Sequence, residues 1–162
     1  MLAGKRIVLK PIEPSHLPNY VRWFADLDVQ EYFGSYRPMN LAQEEAWYAE
    51  QNKSHGALNF ACEVDGVHIG GCGFANINHQ HQSAEVGLFI GEKSYWDRGF
   101  GKEILRTLLD YGFGNLNLHR IYLRVFAGNA RAVHAYENVG FVHEGCWRQA
   151  EWRHGRWQDM LF

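Results

Sequence analysis

The stretch from Ala84 to Phe126 constrains the fold more than any other part of the chain, because a strand, a glycine-punctuated turn, a long amphipathic segment and a second strand follow one another without a break. Ala84 to Ile90 alternates, with Glu85, Gly87 and Phe89 on one face and Val86, Leu88 and Ile90 on the other. It leads through Tyr95-Trp96-Asp97-Arg98-Gly99-Phe100-Gly101-Lys102 into apolar residues at Ile104, Leu105, Leu108, Leu109, Gly112, Phe113 and Leu116, the spacing of one helical face. Ile121 to Phe126 reads as the returning strand of a βαβ unit. Gly99 and Gly101 therefore stand at a helix N-terminus, where the first backbone N–H groups lack intrahelical partners and the helix dipole favours an anion. The turn suits a phosphate-bearing ligand. An ordinary strand-to-helix turn would read the same way from this segment alone.

The remaining segments surround that unit with hairpins and short helices. Ile7 to Lys10 reads as a first strand, followed by a helix from about Ser15, its expected cap, with Leu17, Tyr20, Val21, Phe24 and Leu27 on its apolar side. Asn40 and Gln43 form a capping-box pattern ahead of Leu41, Ala46, Trp47 and Tyr48, predicting a helix to about Lys53. Leu58 to Val64 and Val67 to Phe74 flank Asp65-Gly66, a two-residue hairpin turn. Ala130 to Asn138 reads as a short helix ended by Gly140, and Val142 to Trp152 with Trp157 to Phe162 as a final hairpin across His154-Gly155. The expected architecture is one domain over residues 1–162, α/β, with a mainly antiparallel mixed sheet and helices on both faces.

Composition excludes several function classes. The chain has 162 residues, 46% of them hydrophobic, and a formal net charge of −2 without a long run of one sign, so it lacks the electrostatic footprint of a nucleic-acid binder. No apolar stretch approaches the roughly 20 residues that span a bilayer, and Met1 to Lys10 lacks the apolar core of a signal peptide. A cytoplasmic protein is expected. Cys62, Cys72 and Cys146 are widely spaced in strand-like runs and read as reduced core thiols. His79-Gln80-His81 lacks suitably spaced partners for a metal and reads as a solvated loop, so no metal site is expected.

A second motif sharpens the first. Asn129-Ala130-Arg131-Ala132-Val133-His134-Ala135-Tyr136-Glu137-Asn138-Val139-Gly140-Phe141 follows a strand directly. Together the two motifs closely resemble the Gcn5-related N-acetyltransferase (GNAT) superfamily, and the resemblance covers nearly the whole chain. Leu9-Lys10-Pro11, Leu108 to Phe113, Asn117 to Ile121, Asn76 to His79 and Ala84-Glu85 look like its RimJ/RimL and spermidine acetyltransferase branch. Trp96 departs from the pattern, standing where the family usually has Gln or Arg. The resemblance implies a GNAT fold with acetyl-CoA as cosubstrate: amides of Arg98, Gly99, Phe100, Gly101 and Lys102 on the pyrophosphate, Leu88, Phe89 and Ile90 pairing with the pantetheine arm, Asn129 bonding it from the other side, and Tyr136 beside the thioester sulfur.

The chemistry of such a transfer can be stated from first principles. An amine attacking a thioester must lose a proton, and the departing thiolate benefits from a donor. Tyr136 supplies an O–H, or else is a core aromatic on a short helix. Glu85, just before the cofactor strand, is the candidate general base, or else an edge carboxylate paired with Lys or Arg. The acceptor site is expected between the first two helices and the final hairpin. Asp28, Glu31, Tyr32, Phe33, Tyr36 and Arg37 are its candidates, joined from the hairpin by Trp147, Trp152 and Trp157; each aromatic among them reads equally as packing. The acceptor stays open between a protein N-terminal or ribosomal-protein amine, a polyamine and an aminoglycoside-like small amine, with direct ternary-complex transfer. A non-catalytic acyl-CoA sensor is the competing class. A Rossmann enzyme is excluded because no Gly-x-Gly-x-x-Gly follows the first strand. Exposed aromatics in the final hairpin leave a homodimer open.

Overall fold

The structure is a computed structural model and describes residues 1–33 and 38–162. Two short strands, β1 (Leu2–Ala3) and β2 (Val8–Pro11), open the chain and pair antiparallel. A 3-10 turn at Pro14–His16 then leads into α1 (Leu17–Phe24). Ser15 does not cap this helix: it lies inside the turn, which is closed by the Glu13 backbone N–H donating to His16 Nδ1 at 2.9 Å. Nor does Leu27 lie on the buried side, since Asp26 accepts from the Asp28 N–H and starts a separate turn, α2 (Leu27–Gln30), leaving Leu27 77% exposed. The capping box is present as expected. Asn40 Oδ1 accepts from the Gln43 N–H at 3.0 Å and Gln43 Oε1 accepts from the Asn40 N–H at 2.9 Å, starting α3 (Leu41–Gln51).

Strands β3 (Leu58–Val64) and β4 (Val67–Asn78) form the hairpin about Asp65 and Gly66, both of which adopt the left-handed conformation that the turn requires. β5 (Ser83–Ile90) follows, then α4 (Phe100–Gly114), β6 (Arg120–Tyr122), β7 (Val125–Phe126), α5 (Ala130–Glu137), and the final hairpin β8 (Cys146–Arg153) and β9 (Arg156–Leu161). Among the described residues the strands form a sheet in the order β1-β2-β3-β4-β5-β6, antiparallel except for β5–β6, and a smaller sheet in the order β7-β9-β8. The strand expected from Ile121 to Phe126 is thus split between two sheets.

Side-chain alternation gives the large sheet two cores. Cys62, Val86, Leu88 and Ile90 pack with Phe100, Ile104, Leu105 and Leu108 of α4 on one face, while Ala61 and Phe89 pack with Leu17, Tyr20, Trp23 and Phe24 of α1 on the other. Helices therefore cover both faces. Gly112 lets α4 approach closely, because a Cβ there would lie 2.7 Å from Ile121 Cδ1 and 3.0 Å from Phe74 Cζ. Cys62 and Cys72 are buried between strands, and burial pushes the Cys72 thiol well up. Cys146 is exposed at the start of β8, so it is not a core thiol. Among the described residues no helix is long and apolar enough to cross a membrane.

Beneath α1 lies a small polar cluster. Lys10 Nζ and His16 Nε2 approach the Glu63 carboxylate at 2.6 and 3.5 Å; burial pushes that carboxyl up, and the bonds and charges of Lys10 and His16 outweigh it, leaving it below its ordinary value. Next to it, His68 Nε2 lies 3.0 Å from the Gly70 carbonyl and Nδ1 lies 3.2 Å from Asn19 Nδ2, and the ring packs on Trp23 and Tyr20. Burial, with the His16 charge, lowers the His68 pKa from 6.5 to about 4. The unfolded chain therefore takes up a proton as pH falls through 6.5 while the folded chain does so only near 4. Stability is full above that window and declines across it, by up to about 1.4 kcal/mol per pH unit from this one group. His68→Gln is expected to flatten the fall in unfolding free energy between pH 6.5 and 5 relative to the parent; parallel curves in urea titrations would exclude the assignment.

Candidate active site

The glycine turn leaves a row of donors free. Gly99 is the N-cap of α4 at φ 82°, a conformation that L side chains adopt with strain, and Asp97 precedes it at φ 56°. The first intrahelical bond runs from the Glu103 N–H to the Gly99 carbonyl, and among the described residues the amides of Arg98, Gly99, Phe100, Gly101 and Lys102 have no acceptor. Five consecutive free amides at the positive end of a 15-residue helix are a ready anion site. Arg6 braces the turn from behind, donating to Glu103 Oε2 (3.0 Å) and the Arg98 carbonyl (3.3 Å), with its guanidinium 4.3 Å from the Phe100 ring centre.

In front of these amides a wedge opens in the sheet. β6 pairs with β5 only at Ser83, Ala84 and Glu85, while β4 accompanies β5 as far as Ile90. Beyond Glu85 the second edge of β5 is unpaired, because the chain leaves β6 and β7 joins β9 instead. A cavity of about 430 Å³ fills the wedge, walled by Leu88, Phe89 and Ile90 on one side and Asn129, Arg131 and Tyr136 on the other, with Gly99, Gly101 and Lys102 at its end. Trp96 bridges the two walls. Its Nε1 donates to the Ile90 carbonyl at 2.7 Å, and the Arg131 guanidinium stacks 4.2 Å from its ring centre. Asn129 has a structural duty that the sequence did not reveal: its Oδ1 accepts from the Ala132 N–H and caps α5, leaving Nδ2 without an acceptor among the described residues.

A second cavity, about 550 Å³, lies on the Phe89 face of the sheet and shares Leu88, Phe89, Asn129 and Tyr136 with the first. Tyr136 thus stands where the two meet. Burial pushes its phenol up to about 12, so it is a neutral donor at any physiological pH. Gly87 keeps the floor open, since a Cβ there would meet no atom within 4 Å. Glu85 lies on the same wall, and its carboxylate accepts from Arg124 Nε at 2.8 Å, Arg124 Nη2 at 3.2 Å and Asn76 Nδ2 at 2.9 Å. Three of its roughly four acceptor positions are taken. This is the paired carboxylate of the alternative reading.

The acceptor candidates separate. Tyr32 and Phe33 line both cavities, Tyr32 donating to the Gly128 carbonyl at 3.3 Å and Phe33 stacking on Phe24 at 4.4 Å. Asp28 borders the first cavity, held by Lys93 at 2.8 Å. Glu31 lines neither, Tyr36 and Arg37 fall outside the described residues, and Trp147, Trp152 and Trp157 are exposed on the hairpin away from both.

Residues 6–142 match the acetyltransferase (GNAT) domain family. The chain belongs to this family. A spermidine N(1)-acetyltransferase of Vibrio cholerae is 43% identical over 84 residues, 52% of this chain and 48% of that protein, so the matched stretch spans about half the length of that curated relative. The crystal structure of the Vibrio cholerae spermidine N-acetyltransferase in complex with CoA and spermine superposes with a TM-score of 0.92 at 29% identity, covering 98% of this chain and 94% of that one. Another structure of spermidine N-acetyltransferase from the same organism is dodecameric, with a TM-score of 0.84 at 29% identity, covering 98% and 92%. Against the GNAT pattern, the departure at Trp96 has acquired a contact on each wall of the wedge. Trp96→Gln removes the Arg131 stack and the bond to Ile90, and is expected to lower stability by about 1–3 kcal/mol in urea titration; a parent-like midpoint would show that the bridge contributes nothing.

Proposed function

We propose that this GNAT protein transfers an acetyl group from acetyl-CoA to a primary amine of the small, polycationic kind. The observation that carries the reading is the continuity of the free β5 edge with the five free amides at one end and Tyr136 at the other. An extended amide-bearing arm can complete the unpaired edge as an added strand would, and its diphosphate can reach the helix N-terminus. Lys102 and Arg131 border the same cavity and supply positive charge, and Asn129 Nδ2 faces the arm from the opposite wall. Bound there, acetyl-CoA supplies an acyl group already activated as a thioester.

The protein's own part is positioning and proton placement. The open floor at Gly87 admits the amine beside Tyr136. The ammonium first gives up one proton to solvent water; as the free amine forms the N–C bond and the C–S bond breaks, Tyr136 Oη donates a hydrogen bond to the leaving thiolate, and the second proton on nitrogen passes through water to the thiolate or to solvent. A phenol raised to about 12 is a weaker acid than a thiol near 8.5, so hydrogen-bond donation rather than full proton transfer is its role. Arg124 and Asn76 hold the Glu85 carboxylate in place, and its remaining acceptor position on Oε1 orients the incoming ammonium or a water. Among the acceptors that the sequence left open, the polyamine class has the support of the spermidine relatives. Exposed Trp147, Trp152 and Trp157 support self-association through the final hairpin.

Thiol release from acetyl-CoA over a panel of diamines, polyamines and peptides tests the reading directly, because a sensor would bind CoA and release nothing. Tyr136→Phe is expected to lower kcat by about 10²–10³ with little change in the acetyl-CoA KM; an undiminished kcat would remove Tyr136 from the chemistry. Glu85→Gln is expected to lower kcat/KM for the amine about tenfold or more, with the acidic limb of its pH profile retained. Loss of that limb would instead make Glu85 the general base.

A further inference from the structure

Three residues present their backbone groups to the wedge from the free edge of β5. The Gly91 N–H donates to the Ile69 carbonyl of β4 at 2.9 Å, and the Arg120 N–H of β6 donates to the Gln82 carbonyl at 3.1 Å. Odd-numbered residues of β5 therefore turn their backbone groups to β4 and even-numbered ones to the opposite side. Beyond the last pair with β6 the latter are Val86, Leu88 and Ile90. Val86 borders the second cavity, Leu88 borders both, and Ile90 borders the first, nearest the glycine turn. A ligand that pairs with this edge meets an equivalent position at every second residue, a repeat of about 6–7 Å.

One of the three is already engaged. Trp96 Nε1 donates to the Ile90 carbonyl at 2.7 Å, and an indole has no second polar group to offer in its place. The ring is held where it is. Its backbone N–H donates to the Lys93 carbonyl at 3.1 Å, Lys93 Nζ pairs with Asp26 and Asp28 at 2.8 Å each, and the neighbouring Glu92 accepts from Arg22 of α1 at 2.9 Å. The Arg131 guanidinium backs the ring at 4.2 Å.

The row of amides does not fix the arm by itself. Backbone amides bind charge without regard to which phosphate oxygen they meet, and a row of five lets a diphosphate settle in more than one place along it. A shift of one repeat would carry the thioester about 6–7 Å from Tyr136, where a misplacement of about 1 Å already costs on the order of 10²-fold in rate. We propose that Trp96 is a register stop: by holding the Ile90 carbonyl it leaves Leu88 as the pairing position nearest the turn, and so confines the pantetheine arm to the one seat that brings its thioester beside Tyr136. The stop rests on the acetyl-transfer reading for the identity of the arm, and it makes Trp96 a positioning residue.

Trp96→Phe keeps a ring beneath Arg131 and removes the N–H, which reopens the Ile90 carbonyl. Binding in a slipped, unreactive seat lowers kcat and the acetyl-CoA KM by one common factor, expected at about threefold to tenfold for one hydrogen bond, and leaves kcat/KM unchanged. An unchanged kcat, or a fall in kcat/KM, would overturn the stop, since a merely structural role loosens the site for the transition state as well. Both proteins are assayed well below their unfolding midpoints. A measurement on the parent alone is independent of how the variant folds: solvent exchange of the Trp96 indole proton, followed by NMR, is expected to be as slow or slower with CoA bound. Faster exchange would show the arm displacing the ring, which overturns the stop. Should the parent release no thiol with any amine, the acetyl-transfer reading falls by itself. Calorimetric titration of CoA then decides the stop: tighter binding to Trp96→Phe than to the parent upholds it, and equal or weaker binding, or none to either, overturns it.

Discussion

Everything at the site depends on where two neighbouring strands stop pairing. β5 and β6 share three residue pairs, ending at Glu85 and Tyr122, and two residues later Arg124 reaches back to grip the Glu85 carboxylate with two hydrogen bonds. That ion pair sits at the crotch of the wedge. Beyond it the chain is drawn away, because Val125 and Phe126 find their partners in Leu161 and Met160 of β9. An unpaired strand edge is a liability in a sheet, exposing donors and acceptors that invite association. Here the edge is enclosed by α5 and Trp96, so what it can admit is limited to a narrow extended molecule. The pairing that is missing from the sheet is the binding capacity of the site.

Charge is distributed to match. The chain as a whole is close to neutral, yet one end of the wedge collects the positive end of α4, five free amides, Lys102 and Arg131. The other cavity carries carboxylates, Glu85 in the clamp of Arg124 and Asn76 and Glu44 buried in α3. Tyr136 separates the two regions as a neutral group. An anionic donor and a cationic acceptor would thus be drawn to opposite sides of the same residue, which orders them without any moving part.

Elements governed by local chemistry were legible in the sequence. The Asp65-Gly66 hairpin, the Asn40–Gln43 capping box and the glycine turn each depend on a few neighbouring residues, and each appears where their spacing placed it. That the turn opens a helix with free amides was legible for the same reason, while the five particular amides were named by the resemblance to the GNAT family. What could not be read depends on distant segments. Ile121 to Phe126 looks like one strand because its sequence is continuous, and only β9, some 35 residues downstream, decides that its second half belongs to another sheet. Asn129 could be named as a functional residue but not as the cap of α5, since both roles ask for the same side chain at the same spacing. The buried position of Glu44 was not legible either, since the capping box located α3 but the packing of its faces is decided by distant segments.

The departure at Trp96 follows the same logic of exchange. A Gln or Arg at the start of the turn would offer its own polar group to a bound diphosphate, flexibly and from a solvated position. Trp96 offers none, because its single donor is spent on the Ile90 carbonyl. It offers instead a rigid shelf, on which the Arg131 guanidinium lies at 4.2 Å. The cation that the turn gives up is thereby replaced by one from α5, fixed across the mouth of the cavity by a flat aromatic face. Since free amides can cradle an anion regardless of side chain, the substitution moves a charge from one wall to the other while tying the two walls together. The wedge becomes more rigid where it is unpaired, and a preorganised site loses less entropy when its ligand binds.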